Sequence, residues 1–334
     1  MANNTRFLSI IIPCYNVADY LIGTIDSLRN LKDAEDCEFI FINDGSTDNT
    51  LAIIQDFEKQ DKRVRVINQK NAGVSAARNA ALKIAKGKYF IPLDGDDKLQ
   101  PSAVSIIRNT INDTDLLITP VQKVQNNNIT NLYLPFKDGI YTPAELFKAC
   151  KMFPASSKLV YRTDLINKYD IRFNEHIHSG EVLTYTCAFL KYCKSIAVSS
   201  QYFYQYVMRD SSATHAPNYK KDISVLDIID YINKNTNPSI INLYAYQATL
   251  FRMCTSFTYN KYAKLGLTEK NTIDAIKNVI NHENYKILLK KLARSFGKFT
   301  KDRLQALYIL TTGIWGYKLL ATILRKCHLN KNTI

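Results

Sequence analysis

The chain has 334 residues, 46% of them hydrophobic, and 44 Lys and Arg stand against 30 Asp and Glu for a formal net charge of +14. That apolar content marks a globular chain with a sizeable core, and the length suits one large or two modest domains. Its seven cysteines (Cys14, Cys37, Cys150, Cys187, Cys193, Cys254 and Cys327) form no Cys-x-x-Cys pair and are odd in number, which argues against a zinc site and a disulfide framework and for reduced thiols.

The charge is unevenly placed. Residues 1–100 hold 13 Lys and Arg against 14 Asp and Glu, whereas residues 251–334 hold 16 against 4. A basic end of this kind suits nucleic acid, anionic lipid or a phosphorylated acceptor, and charge alone does not choose among them.

In chain order, short apolar runs alternate with helical patterns, the signature of a parallel sheet flanked by helices. The apolar run Phe7 to Pro13 is too short for a secretory leader and has no small-residue cleavage site after it; it reads as a strand, and the expected location is cytoplasmic. Strands are predicted at Leu8–Pro13, Glu38–Asn43, Val64–Asn68, Tyr89–Leu93 and Leu116–Pro120. Helical spacing covers Tyr20–Asn30, Asp48–Gln60, Val74–Lys86 and Pro101–Asn112, with Asp48 near an N-cap and Pro101 suited to a first turn. Residues 126–138 are polar and Asn-rich and read as a surface loop or hairpin, and a domain boundary is placed near residue 220, after which the sequence becomes helical, Lys-rich and Tyr-rich.

In parallel sheets ligands bind beyond the carboxyl ends of the strands. Four consecutive predicted strand ends carry polar turn chemistry: Pro13-Cys14-Tyr15-Asn16, Asn43-Asp44-Gly45-Ser46, Asn71-Ala72-Gly73 and Asp94-Gly95-Asp96-Asp97. The last is the most telling, because an apolar strand stops on three acidic residues that repel one another. Gathering them becomes favourable if an oxygen-preferring cation, Mg²⁺ or Mn²⁺, sits between them; the competing reading is a solvated turn or helix cap.

These segments resemble family 2 glycosyltransferases of the GT-A fold. Leu8 to Asn16, Phe41 to Asp48, Asn71 to Asn79 and Leu93 to Asp97 occur in that family's order and spacing. The resemblance implies a Rossmann-like, mostly parallel sheet with flanking helices over residues 1–220, with a nucleotide-sugar half (1–120) and an acceptor half (121–220); beyond it, composition and pattern alone make 221–334 a basic helical region. Pro13 and Tyr15 would wall the base, the Tyr ring offering a stacking face. Asp44 would accept a hydrogen bond from a uracil ring N–H, or close an Asx turn with Gly45. Asn71 and Gly73 lead into a helix whose amide end favours anions, and Arg78 lies within about two turns of that start, placed for a phosphate or as a brace for the aspartates. By the same resemblance Asp96 coordinates a cation bridging the two phosphates, Asp94 contacts the ribose or the metal through water, and Gly95 lies between them.

A looser likeness follows at Ser157 to Arg162, Ile171 to Glu175 and Gly180-Glu181-Val182. Family members commonly have Gly-Glu-Asp there, the Asp acting as general base. Val182 occupies that position here and cannot take a proton, so Glu181 is the candidate base, with loop orientation as its alternative role. Tyr204 to Ser212 resembles the end of the family's domain, with Arg209 facing the diphosphate or standing as a surface arginine. His176 and His178 read as ordinary loop histidines.

The expectation is an inverting, metal-dependent transferase moving a sugar from a UDP-sugar to a glycan or lipid-linked acceptor in bacterial surface-glycan assembly. Leu304 to Leu324, flanked by Lys301, Arg303, Arg325 and Lys326, reads as a helix lying on an anionic membrane face or packed internally, and no nucleic-acid partner is expected. A catalytically silent UDP-sugar binding protein of the same fold is the alternative that Val182 motivates. A dinucleotide oxidoreductase is disfavoured because no Gly-x-Gly-x-x-Gly follows the first strand.

Overall fold

The structure is a computed structural model and describes residues 6–126, 128–149, 157–177 and 180–208, with single helical positions at 231, 281, 283, 286 and 290. The chain divides into two compact units, residues 1–150 with 154–209, and residues 151–153 with 210–334. Apart from those five positions the second unit lies outside the described residues, as do Arg209, His178 and the stretch from Leu304 to Leu324.

The first unit begins β1 (Arg6–Cys14), α1 (Ala18–Arg29), β2 (Cys37–Asp44), α2 (Thr50–Gln60), β3 (Val64–Gln69), α3 (Val74–Ile84) and β4 (Gly87–Pro92). It continues through β5 (Lys98–Leu99), α4 (Ala103–Ile111), β6 (Leu116–Gln125), β7 (Asn128–Asn131), β8 (Gly139–Tyr141) and α5 (Pro143–Ala149). The remaining elements are β9 (Ser157–Arg162), α6 (Thr163–Lys168), α7 (Glu181–Leu190), β10 (Ile196–Val198) and β11 (Tyr204–Val207). Among the described residues the strands form one mixed sheet in the order β3-β2-β1-β4-β9-β6-β10-β8, with β7 and β11 joined to β6 and β5 to β11.

All eight residues of β2 are buried, because it runs parallel between β1 and β3 and is covered on both faces. The helices pay into the same core at helical spacing: Leu21, Ile25 and Leu28 from α1, Ile54 and Phe57 from α2, Val104, Ile107 and Ile111 from α4. Phe57 meets Phe41 of β2 edge to face, ring centroids 5.9 Å apart.

Strands β1 to β4 are mutually parallel, so their carboxyl ends share one edge of the sheet. Strand order reverses between β1 and β4, since β2 and β3 extend to one side of β1 and β4 lies on the other. Such a switch point opens a crevice at the strand ends. The predicted strands and helices of this half are all present with small shifts at their ends, and the Asn-rich segment forms a hairpin, Gln125 pairing with Asn128.

Beyond β4 the sheet changes character. Strand β9 enters antiparallel between β4 and β6, pairing Tyr89 with Arg162 and Leu116 with Tyr161. β6 runs past the predicted end at Pro120 because that residue marks a change of neighbours: residues 116–120 pair with β9, and 121–125 with β7 and β11. A residue without an N–H is tolerated where one ladder hands over to the next.

Candidate active site

The loops after β1 and β2 are stitched together by side chains. The Asn16 amide donates to Ser46 Oγ (3.1 Å), the Thr47 amide to Asn16 Oδ1 (2.8 Å), the Val17 amide to Thr50 Oγ1 (3.0 Å) and the Ala18 amide to Asp48 Oδ2 (3.0 Å). This lattice leaves Pro13 half-buried and the Tyr15 ring 51% exposed at the switch point, available as a stacking face.

Asp44, at the end of β2, is 3% exposed, and its carboxylate is turned toward the third loop. Oδ1 accepts from Gln69 Nε2 (2.7 Å) and the Ala72 amide (2.9 Å), and Oδ2 from the Gly73 amide (2.8 Å). The Asx-type bond of this turn comes instead from Asn43, whose Oδ1 accepts the Ser46 amide at 3.3 Å. Gly45 has φ +71°, and an added Cβ would stand 2.6 Å from the Asn71 nitrogen, so the second and third loops close on each other only with glycine there. Asn71 is exposed and Gly73 is the N-cap of α3, which places both at the cleft edge.

The acidic turn after β4 separates into three environments. Asp94 is 40% exposed and lies between two cations, Arg78 Nη2 at 2.9 Å and Lys158 Nζ at 3.8 Å. Gly95 is buried, its carbonyl accepting the Thr24 hydroxyl at 2.9 Å, and Asp96 is half-buried. Asp97 is fully buried and held by β11: Tyr204 donates its hydroxyl to Oδ2 (2.5 Å) and Val207 its amide to Oδ1 (2.9 Å). The expectation that all three carboxylates gather at one cation therefore holds at most for Asp94 and Asp96; the partners that draw Asp97 inward lie about 110 residues downstream. The Cys14 thiol, at the end of β1, is driven well above its ordinary range by burial first and then by the negative field of Asp96, Asp94 and Asp48.

Burial raises the Asp97 carboxyl to about 7, with Lys158 opposing and Asp94 adding to the effect. Its folded pKa is above the unfolded value, so the stabilisation from its bound proton is complete below about pH 4 and is lost as pH rises through about 7. In urea titrations without divalent cation, raising the pH from 5 to 8 should cost the wild-type chain on the order of 2 kcal/mol more than Asp97→Asn. Equal slopes for the two chains would contradict that placement of Asp97.

Arg78 and Glu181 complete the cluster. Arg78, on α3, is 4% exposed and also pairs with Glu181 Oε1 through Nη1 at 3.5 Å. Burial pushes its guanidinium down, but the charges of Asp94 and Glu181 outweigh this and hold it above its ordinary value. Glu181 opens α7 after Gly180, which has φ +77°, and its side chain is 21% exposed. Lys158, on β9, also stands 3.8 Å from the centroid of the Tyr204 ring. Sequence reading left Lys158 and Tyr204 without roles, although both lie in the looser segments of likeness.

By formal charge, Asp94, Asp96 and Glu181 outnumber Arg78 and Lys158. Among the described residues no group of three or more His, Cys, Asp or Glu is arranged to hold a metal by itself. The oxygen-only donor set fits a hard divalent ion that completes its shell with substrate phosphates and water, since Mg²⁺ commonly takes only one or two protein carboxylates in such sites. Among the described residues no helix is long and apolar enough to cross a membrane.

Comparison with known proteins bears on the family and the fold. A teichoic acid poly(glycerol phosphate) polymerase of Staphylococcus epidermidis is 30% identical over 195 residues, 55% of this chain and 26% of that protein. The uncharacterized glycosyltransferase EpsJ of Bacillus subtilis is 27% identical over 219 residues, 63% of each chain. The chain thus spans about a quarter of the first relative and under two thirds of the second. The crystal structure of S. aureus TarS 1–349 in complex with UDP-GlcNAc superposes with a TM-score of 0.68 at 20% identity, covering 96% of this chain and 92% of that one, and so shares the GT-A fold. Residues 9–164, a span that includes the four loops and β9, match the profile of Glycosyl transferase family 2.

Proposed function

We propose that the chain is an inverting glycosyltransferase that moves a sugar from a UDP-sugar to an acceptor hydroxyl in cell-surface glycan assembly. The observation that carries this reading is the meeting of the donor-side Asp94 with Glu181, 87 positions further along the chain, on one buried arginine at the switch point of the sheet. The family match over residues 9–164 supports sugar transfer, the named teichoic acid relative supports a surface glycan, and the UDP-GlcNAc complex of a protein with the same fold supports a UDP donor.

In this mechanism Tyr15 and Pro13 flank the base, Asp44 keeps the Asn71–Gly73 loop closed beneath it and directs its remaining acceptor capacity to the uracil N–H, and Asp94 contacts the ribose. Asp96, with Asp94, would hold Mn²⁺ or Mg²⁺, which supplies charge neutralisation for the departing diphosphate. Glu181 takes the proton from the acceptor hydroxyl, which attacks the anomeric carbon on the face opposite the leaving group. Arg209, which lies outside the described residues, is assigned to the diphosphate by the family likeness alone. The chain works in the cytoplasm, and the basic 221–334 region docks it on an anionic membrane face near a lipid-linked acceptor.

A panel of UDP-sugars assayed for Mn²⁺-dependent hydrolysis and transfer identifies the donor. One donor should release UDP well above the others, and Glu181→Gln should slow transfer about 100-fold, at the low end of general-base contributions. Full-rate transfer by Glu181→Gln would remove Glu181 as base. Tight UDP binding without turnover of any sugar, the outcome that Val182 makes worth testing, would favour a silent binding protein.

A further inference from the structure

Arg78 does more in this structure than neutralise an aspartate. Its two terminal nitrogens are divided between carboxylates on different elements, Asp94 at the end of β4 and Glu181 at the start of α7. Its Nε, also buried, finds no hydrogen-bond partner. One face of the guanidinium lies 5.3 Å from the Phe173 ring centroid, and Phe173 stacks on Tyr185 at 3.9 Å with 8° between the planes. Tyr185 lies four residues after Glu181 on α7, so both occupy one face of that helix, and the Arg78–Phe173 pair touches that face at two points. The next residue, Asn79, is 6% exposed and grips the same segment. Its Nδ2 donates to the Phe173 carbonyl (2.9 Å) and Glu175 Oε1 (3.0 Å), and its Oδ1 accepts the Phe173 amide (2.9 Å).

We propose that Arg78 is a positioning residue for acceptor activation, fixing the Glu181 carboxylate against donor-side Asp94 while Phe173 and Asn79 hold its plane and the approach to α7. This rests on the reading of Glu181 as the base. A planar fork is required because two carboxylates from different elements are held at once; a lysine ammonium keeps the charge but not the two-point geometry. Because a lysine at this position keeps a cation beside Asp94 but loses the second contact to Glu181, the cost of Arg78→Lys is expected in the chemical step rather than in donor affinity.

A double-mutant cycle of Arg78→Lys and Glu181→Gln tests this, with transfer rates expressed per UDP-binding site titrated in Mn²⁺, so that misfolded protein does not count. Arg78→Lys should lower kcat about tenfold or more with donor KM within about twofold of wild type, and the double variant should be no slower than Glu181→Gln within about twofold. If the Arg78→Lys loss multiplies in full onto Glu181→Gln, or if Arg78→Lys transfers at the wild-type rate, the positioning role is wrong. Wild-type transfer by Glu181→Gln with a slow Arg78→Lys would instead overturn the base assignment and, with it, Arg78 acting through Glu181. Should Arg78→Lys yield no UDP-competent protein, Phe173→Leu reads the same cycle: its kcat loss must vanish in the Glu181→Gln background, and a loss that persists there overturns the proposal.

Discussion

Asp96→Ala is expected to lower transfer from a UDP-sugar by about 100-fold or more, equivalent to about 2.7 kcal/mol of transition-state stabilisation. Asp96 is half-buried at the open end of β4, beside the Asp94 that Arg78 and Lys158 engage, and in the proposed mechanism it is the carboxylate that holds the cation. The fold should be little affected, because the turn is held by other groups: the Asp97 amide donates to the Asp94 carbonyl at 2.9 Å, and the Thr24 hydroxyl bonds the Gly95 and Asp97 carbonyls. Denaturation should therefore match wild type while Mn²⁺-dependent UDP binding disappears. Unchanged metal-dependent binding in Asp96→Ala would show that the metal is held elsewhere.

Gly87→Ala should be among the most destabilising single-methyl additions in the described region, at about 3 to 5 kcal/mol. A Cβ at Gly87 would fall 2.4 Å from the Ser9 nitrogen and 2.6 Å from both Ser9 Oγ and the Tyr89 carbonyl oxygen, two of them backbone atoms of the paired β1 and β4. Overpacking of this kind costs about 1 to 3 kcal/mol. The same methyl disturbs a buried network: Ser9 Oγ accepts the Gly87 amide (2.8 Å) and donates to Glu38 Oε1 (2.6 Å), and Glu38 is 3% exposed. Weakening a hydrogen bond to a buried carboxylate adds about 1.5 to 3 kcal/mol. The shift in urea midpoint measures the total, and a loss under about 1 kcal/mol would mean that β1 and β4 separate more easily than their register suggests.

The strands and polar strand ends of the first half are legible in the sequence because their signals are local. Strand β2 is a run of apolar residues ended by Asn43-Asp44-Gly45, and β4 ends on its own aspartates, so strand, turn and candidate ligand lie within a few residues of each other. What the sequence withheld depends on long-range pairing. Arg78 and Glu181 are 103 residues apart, and Asp97 and Tyr204 are 107 apart, with no periodicity joining them. Reading Asp94, Asp96 and Asp97 as one acidic group treated neighbours in sequence as neighbours in environment, whereas backbone direction sends Asp97 under β11 and leaves Asp94 half-exposed. The antiparallel entry of β9 between β4 and β6 was likewise hidden, because its residues carry an ordinary strand pattern that does not specify a partner. Val182 in place of an acidic residue was visible at once, but the buried arginine holding Glu181 was not.

On the proposed function, the edge shared by β1 to β4 binds a uridine diphosphate through a divalent cation held by Asp96. Titration calorimetry of UDP into the full chain, with Mn²⁺ and again with EDTA, tests it most directly. Saturable one-to-one binding is expected in Mn²⁺, weakened at least about tenfold in EDTA. Equal affinity in both buffers, or no binding in either, would contradict it.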